Sequence, residues 1–156
     1  MLTVTRLLPA NADTPVVATL SLTAGDRAKS RHRFTADDGT PVYLNLPRGT
    51  VLRGGDLLGS DAEVWLRVVA KPEPVVVVTA QSGFDLLRAA YHLGNRHAQL
   101  ELSPNGLKFE PDPVLEAMLT QLGGLALTTT TLPFEPEAGA YRAMAPGHNH
   151  DDHDHN

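Results

Sequence analysis

Six stretches decide the fold: Pro74-Val-Val-Val-Val-Thr79, Phe84-Asp-Leu-Leu-Arg-Ala-Ala-Tyr-His-Leu93, Gln99-Leu-Glu-Leu102, Leu107-Lys-Phe109, Pro113-Val-Leu-Glu-Ala-Met-Leu-Thr-Gln-Leu122 and Leu125-Ala-Leu-Thr-Thr-Thr-Thr-Leu132. The first contains a continuous apolar run, Val75 to Val78, of the length of a buried strand. The second places apolar residues at 84, 87, 90 and 91, which is helical spacing, with Ser82 as N-cap and Gly94 as a stop. Gln99–Leu102 and Leu107–Phe109 read as short strands around the turn Ser103-Pro-Asn-Gly106. Asp112 caps a second helix with Pro113 at its first position, and Glu116 in the first turn suits the positive end of the helix dipole. Val114, Leu115, Met118, Leu119 and Leu122 give that helix its apolar side, and Gly123-Gly124 ends it. Leu125–Leu132 reads as a closing strand. The order is β-α-β-β-α-β, a ferredoxin-like arrangement, over residues 73–136.

Upstream the pattern changes. Lys71-Pro-Glu-Pro74 stiffens the chain and blocks helix, so residues 1–72 form a unit of their own. Ala18-Thr-Leu-Ser-Leu22 alternates apolar and polar residues, the period of a half-buried strand. Arg31-His-Arg-Phe-Thr35 and Val42-Tyr-Leu-Asn45 flank Asp38-Gly39, a hairpin signal. Ala62-Glu-Val-Trp-Leu-Arg-Val-Val-Ala70 is a further strand. No stretch here repeats every 3.6 residues, so a small all-β domain without helix is expected, a barrel or sandwich. The fold class is therefore α+β.

Downstream, residues 137–156 are polar and rich in Pro, Gly, His and Asp, a composition expected to be disordered. Aromatic residues make up only 5% of the 156-residue chain, so each small core has few large anchors, which favours association of copies. The net charge of −5 disfavours phosphate backbones and anionic lipid, so neither nucleic acid nor membrane is an expected partner. No leader-like segment stands at the N-terminus and no apolar run is long enough to span a bilayer, so a cytoplasmic location is expected.

Chemistry concentrates in histidine. The chain has no cysteine, so a metal would be held by imidazole, carboxylate, amide, carbonyl or water. Four of its seven histidines, His148, His150, His153 and His155, fall in the last nine residues, interleaved with aspartate and asparagine. Imidazoles at that density suit nickel, copper or zinc, and a flexible tail can wrap several geometries. His97 follows the expected helix stop; spacing alone leaves open whether it is a ligand or a loop hydrogen-bonder. His92, five residues earlier, points about 140° away around the helix and reads as structural. His32, between Arg31 and Arg33, sits where cations disfavour metal. No catalytic motif stands out. Arg31, Arg33, Arg48 and Arg53 make the first domain locally basic, either a docking face or solvated strand ends.

Tyr91-His-Leu-Gly-Asn-Arg-His97, Phe134-Glu-Pro-Glu-Ala-Gly-Ala-Tyr141 and the His/Asp-rich end together resemble the E-type urease accessory proteins, nickel metallochaperones of urease maturation. Arg31-His-Arg-Phe34, Asp38-Gly39, Leu46-Pro-Arg-Gly49 and Gly55-Asp56 fall in the same family's order, so the likeness spans nearly the whole chain. The resemblance implies a partner-binding β-domain, a dimerising ferredoxin-like domain, and His97 as a nickel ligand contributed by both subunits of a homodimer. It further implies that the tail histidines bind metal as a group, and that the partners are the urease accessory GTPase and the urease apoprotein complex. No enzymatic activity is implied. Phe109-Glu-Pro-Asp-Pro113 lacks the extra histidines of some relatives, so a secondary site there is not expected. Ni²⁺ is the expected cargo, with Cu²⁺ or Zn²⁺ able to bind in vitro. An RNA-binding or ribosome-associated module and a metal-dependent hydrolase are the competing classes.

Overall fold

A computed structural model of the chain describes residues 1–61 and 63–138. His148, His150, His153 and His155 lie outside the described residues.

The N-terminal half is two sheets around one core. Strands β1 (Leu2–Val4), β2 (Arg6–Leu8) and β3 (Ala18–Leu22) are followed by the short helix α1 (Ala24–Arg27), then β4 (Arg31–Thr35), β5 (Pro41–Asn45), β6 (Leu57–Gly59) and β7 (Val64–Ala70). One sheet has the order β1-β5-β4 and the other β2-β6-β7-β3. Val4, Val42 and Leu44 from the first sheet meet Leu20, Leu22, Leu58, Leu66 and Val68 from the second, all fully buried or nearly so. Alternation in β3 and β5 produces this packing: every second side chain faces inward. The Asp38-Gly39 hairpin forms as expected, with Gly39 at φ +90° and the Asp38 carboxylate accepting from the Thr40 amide at 2.9 Å.

The expectation of no helix in this half is corrected by α1. It is a single turn, too short to leave a periodic signal. Thr23 caps it, its hydroxyl accepting from the Asp26 amide at 3.3 Å.

The C-terminal half is β8 (Glu73–Ala80), α2 (Gly83–Asn95), β9 (Glu101–Ser103), β10 (Gly106–Phe109), α3 (Pro113–Leu122) and β11 (Leu125–Leu132). The antiparallel sheet has the order β11-β8-β10-β9, with the first and last strands paired, so the fold is α+β with the expected βαββαβ unit. Both helices cover one face. Ala89 and Leu93 of α2 and Leu119 of α3 pack on Val76, Val78, Leu107 and Phe109. Ser82 and Asp112 cap the two helices as their sequence positions require.

Two features of α2 differ from the sequence reading. Gly94 does not stop it; the helix runs through Asn95 to a cap at Arg96. Of the residues that gave the helical spacing, only Ala90 lies on its buried side. Leu86, Ala89, Ala90 and Leu93 face the core, whereas Phe84, Leu87 and Tyr91 are 68%, 70% and 65% exposed. The helix is apolar on two sides, and the pattern read from sequence belongs mostly to the outer one.

The halves meet around a buried arginine. Phe134, fully buried, packs with Val75 and Ala24 on the sheet face opposite the helices. Arg27, 1% exposed, donates to the carbonyls of Leu22, at 3.3 Å, and Phe134, and lies 3.6 Å from Glu135. The Glu135 carboxylate also accepts from the Gly54 amide at 2.5 Å. The Ala24 amide donates to Glu73 at 2.8 Å. Segment 134–137 is thus tied to both halves.

Candidate metal centre

Topology brings the relevant parts of the chain to one end of the C-terminal sheet. β8 runs away from Glu73, α2 runs back, and β11 returns, so that Glu73 pairs with Leu132. His97, the entry from the first domain and the exit toward the tail therefore share that end. The Glu137 amide donates to the Leu100 carbonyl at 2.7 Å, and the Glu135 amide to Glu101 at 2.8 Å. The exit segment lies alongside Leu100 and Glu101, a few residues after His97.

His97 is held by its backbone. It has φ +57°, the only non-glycine in the left-handed region among the described residues. Its amide donates to the Gly94 carbonyl at 3.0 Å, and the Ala98 amide to the Leu93 carbonyl at 3.1 Å. With Arg96 as C-cap, these are the two bonds of a Schellman motif, a place where glycine is the favoured residue. Leu93 and Ala98 belong to one apolar cluster, the contact that accompanies the motif. An imidazole thus stands, exposed, on a backbone corner that would be cheaper without a side chain. It is also at the negative end of α2, which favours a bound cation.

The other histidines are apart from it. His92 is half-buried and sets its ring edge-on to Tyr91, centroids 5.2 Å apart. His32 lies on β4 against Phe34 at 4.7 Å. Among the described residues no three His, Asp or Glu side chains converge into a cation cage. His97 is thus a single donor just past the C-terminus of α2, the helix whose outer side exposes Phe84, Leu87 and Tyr91. Arg88 reaches over Phe84, 5.9 Å from the ring centroid.

Charges at the domain junction are shifted by burial. Desolvation pulls the Arg27 guanidinium below its ordinary value, opposed by the carboxylates of Glu135 and Glu73. Desolvation pushes Asp56 up, opposed by the Arg53 amide, 2.7 Å from its carboxylate.

The chain matches two family models end to end: UreE urease accessory protein, N-terminal domain, over residues 4–71, and UreE urease accessory protein, C-terminal domain, over residues 73–156. It is 55% identical to the urease accessory protein UreE of Nostoc punctiforme over 142 residues, covering 90% of this chain and 95% of that one. The corresponding protein of Verminephrobacter eiseniae is 48% identical over 166 aligned positions, covering 99% and 98% of the two chains, and that of Microcystis aeruginosa 46% over 148, covering 91% and 93%. Fold and likeness together define an accessory protein of urease maturation and not an enzyme. The chain belongs to the UreE urease accessory protein family.

Proposed function

We propose that the protein is a nickel metallochaperone that binds Ni²⁺ at a homodimer interface and delivers it to the urease maturation complex, its accessory GTPase and apoprotein, in the cytoplasm. The observation that carries this reading is the exposed stripe Phe84–Leu87–Tyr91 on α2, the helix that exposed His97 follows. Three large apolar side chains in a row on one helix face are an association surface. A two-fold interface repeats each residue, so one His97 per protomer becomes two imidazole donors. His148, His150, His153 and His155 supply the remaining nitrogen donors, with water or carboxylate. His148 lies ten residue steps beyond Ala138. At about 3.4 Å each these reach roughly 34 Å, ample to return to His97 from an exit segment beside Leu100.

The chemistry fits cargo that must be given up. Nitrogen and oxygen donors suit Ni²⁺, and a tether that supplies part of the coordination lets an acceptor replace it one arm at a time. Cu²⁺ binds such a donor set at least as tightly in vitro, so nickel identity comes from supply and partners. Protons compete for imidazole, so affinity falls steeply below about pH 6.

The RNA-binding reading finds no support in the sheet. The single aromatic in its four strands, Phe109, is buried in the core, so no base-stacking platform faces outward. No described helix is long and apolar enough to cross a membrane.

Calorimetric Ni²⁺ titration of the intact chain, of His97→Ala and of a chain truncated after Pro146 tests the proposal. His97→Ala removes the tightest site, and truncation lowers the number of ions bound per dimer. Intact-like binding by both variants refutes it.

A further inference from the structure

The basic stretch Arg31-His-Arg-Phe-Thr35 forms β4 and takes no part in the metal site. β4 is an outer strand of its sheet, whose order is β1-β5-β4. Its pairing with β5 fixes which backbone groups stay free. The Ala36 amide donates to the Thr40 carbonyl at 2.8 Å, and the Leu46 amide to the Ser30 carbonyl at 3.0 Å, one at each end of the ladder. Bonded and non-bonded pairs alternate along an antiparallel ladder, so His32 and Phe34 spend their backbone groups on Leu44 and Val42. The amides and carbonyls of Arg31, Arg33 and Thr35 therefore point out from the open edge.

The side chains divide in the same way. Arg31, Arg33 and Thr35 are exposed on the face away from the core. His32 and Phe34 share the other face, at the rim of the core, with their rings 4.7 Å apart. Arg31 and Arg33 make no ion pair or hydrogen bond through their side chains with any described residue, and neither does Arg48, just past the end of β5. Positive charge also gathers in this half. Residues 1–72 carry nine basic and seven acidic residues, whereas 73–138 carry three and eight.

We propose that the open edge of β4 docks an extended segment of a partner protein that carries carboxylates at every second position. Charge and register together select this occupant. A strand laid antiparallel along β4 exchanges backbone bonds with Arg31 and Arg33, and its residues opposite them project from the same face. Carboxylates there meet two unpaired guanidiniums, each able to hold one by two parallel N–H bonds. The residues between meet His32 and Phe34, so apolar ones fit. A second copy of β4, centred on Arg33, would set arginine against arginine, which repels. The same charges thus keep copies of the chain apart and admit a strand of opposite sign. The docking does not rest on the nickel reading.

NMR titration of the intact, nickel-free protein with the capped peptide Thr-Glu-Val-Glu-Val-Thr tests it. The amide signals of Arg31, Arg33 and Thr35 are expected to shift most and to exchange more slowly with solvent. The same peptide with glutamine for glutamate should bind about tenfold more weakly at low salt, and Arg31→Gln combined with Arg33→Gln should cause a similar loss. Thr35→Pro removes one outward amide without changing charge, and it too should weaken the glutamate peptide. Circular dichroism checks the fold of each variant. No binding, equal binding of the two peptides, or shifts centred away from β4 overturn the proposal. Full binding by Thr35→Pro overturns it as well, since charge alone would then suffice. If truncation after Pro146 by itself moves these amides, the chain's own aspartates hold the edge and the partner segment is refuted. Nickel has no part in the readout, so failure here leaves the metal-site proposal standing, and the reverse.

Discussion

At position 97 stability and chemistry compete. The left-handed corner after α2 suits glycine, and a side chain there costs about 1 kcal/mol. His97→Gly is therefore expected to unfold at higher urea than His97→Ala, by about 1 kcal/mol in nickel-free buffer. Both variants should lose the tightest nickel site. Equal stability of the two would mean that the φ of +57° carries no strain. Sequence could place His97 just past a helix, but the backbone sign was not legible, because it depends on where the helix ends. Gly94 looked like the stop, yet Leu93, buried in the cluster that holds Val76 and Leu107, anchors the last turn, and the helix runs one residue further.

At the level of elements, α2 is the informative case. Its existence was plain from residues 84, 87, 90 and 91, but periodicity reports a face without saying whether that face looks in or out. Leu86, Ala89, Ala90 and Leu93 do the packing inside, and Phe84, Leu87 and Tyr91 are left outside. Leu87→Glu combined with Phe84→Glu is expected to break the proposed dimer into monomers in analytical ultracentrifugation, while the circular dichroism stays that of the parent. Removing two exposed apolar side chains leaves the core untouched but takes away about 3 kcal/mol or more of association energy. A dimer that survives both changes would move the interface elsewhere. By contrast, β1, β2 and β6 escaped sequence reading altogether. Each has three residues, and three residues cannot show alternation. The four strands of the second half were visible because apolar runs and turn residues bound them.

Across the whole molecule, one buried cation joins the halves. Arg27 satisfies two carbonyls and faces Glu135, and no buried side-chain nitrogen or oxygen among the described residues lacks a partner. Arg27→Met should lower unfolding free energy by about 2 kcal/mol, because the Leu22 and Phe134 carbonyls lose their donor in a dry place. Glu135→Gln should lower it by about 1 kcal/mol or less, since Glu135 is 37% exposed and the amide oxygen still accepts from Gly54. Urea titration of the two variants compares them, and a larger loss for Glu135→Gln would make the ion pair, not the carbonyl contacts, the stronger tie. Nothing in the sequence marked Arg27, one arginine among several in a basic β-domain; only its burial by a segment more than a hundred positions later gives it that role.

The pairing of β8 with β11 has a consequence for biosynthesis. β8 is made first and β11 last, yet they are neighbours, so during synthesis Val75-Val-Val-Val78 waits for a companion that emerges only after both helices. Until Leu125–Leu132 arrives, that uncharged run is an open strand edge, the kind of template on which nascent chains stick to each other. A ribosome that stalls before Leu125 would release a product prone to clump, so the last strand acts as the protein's own guard against misassembly.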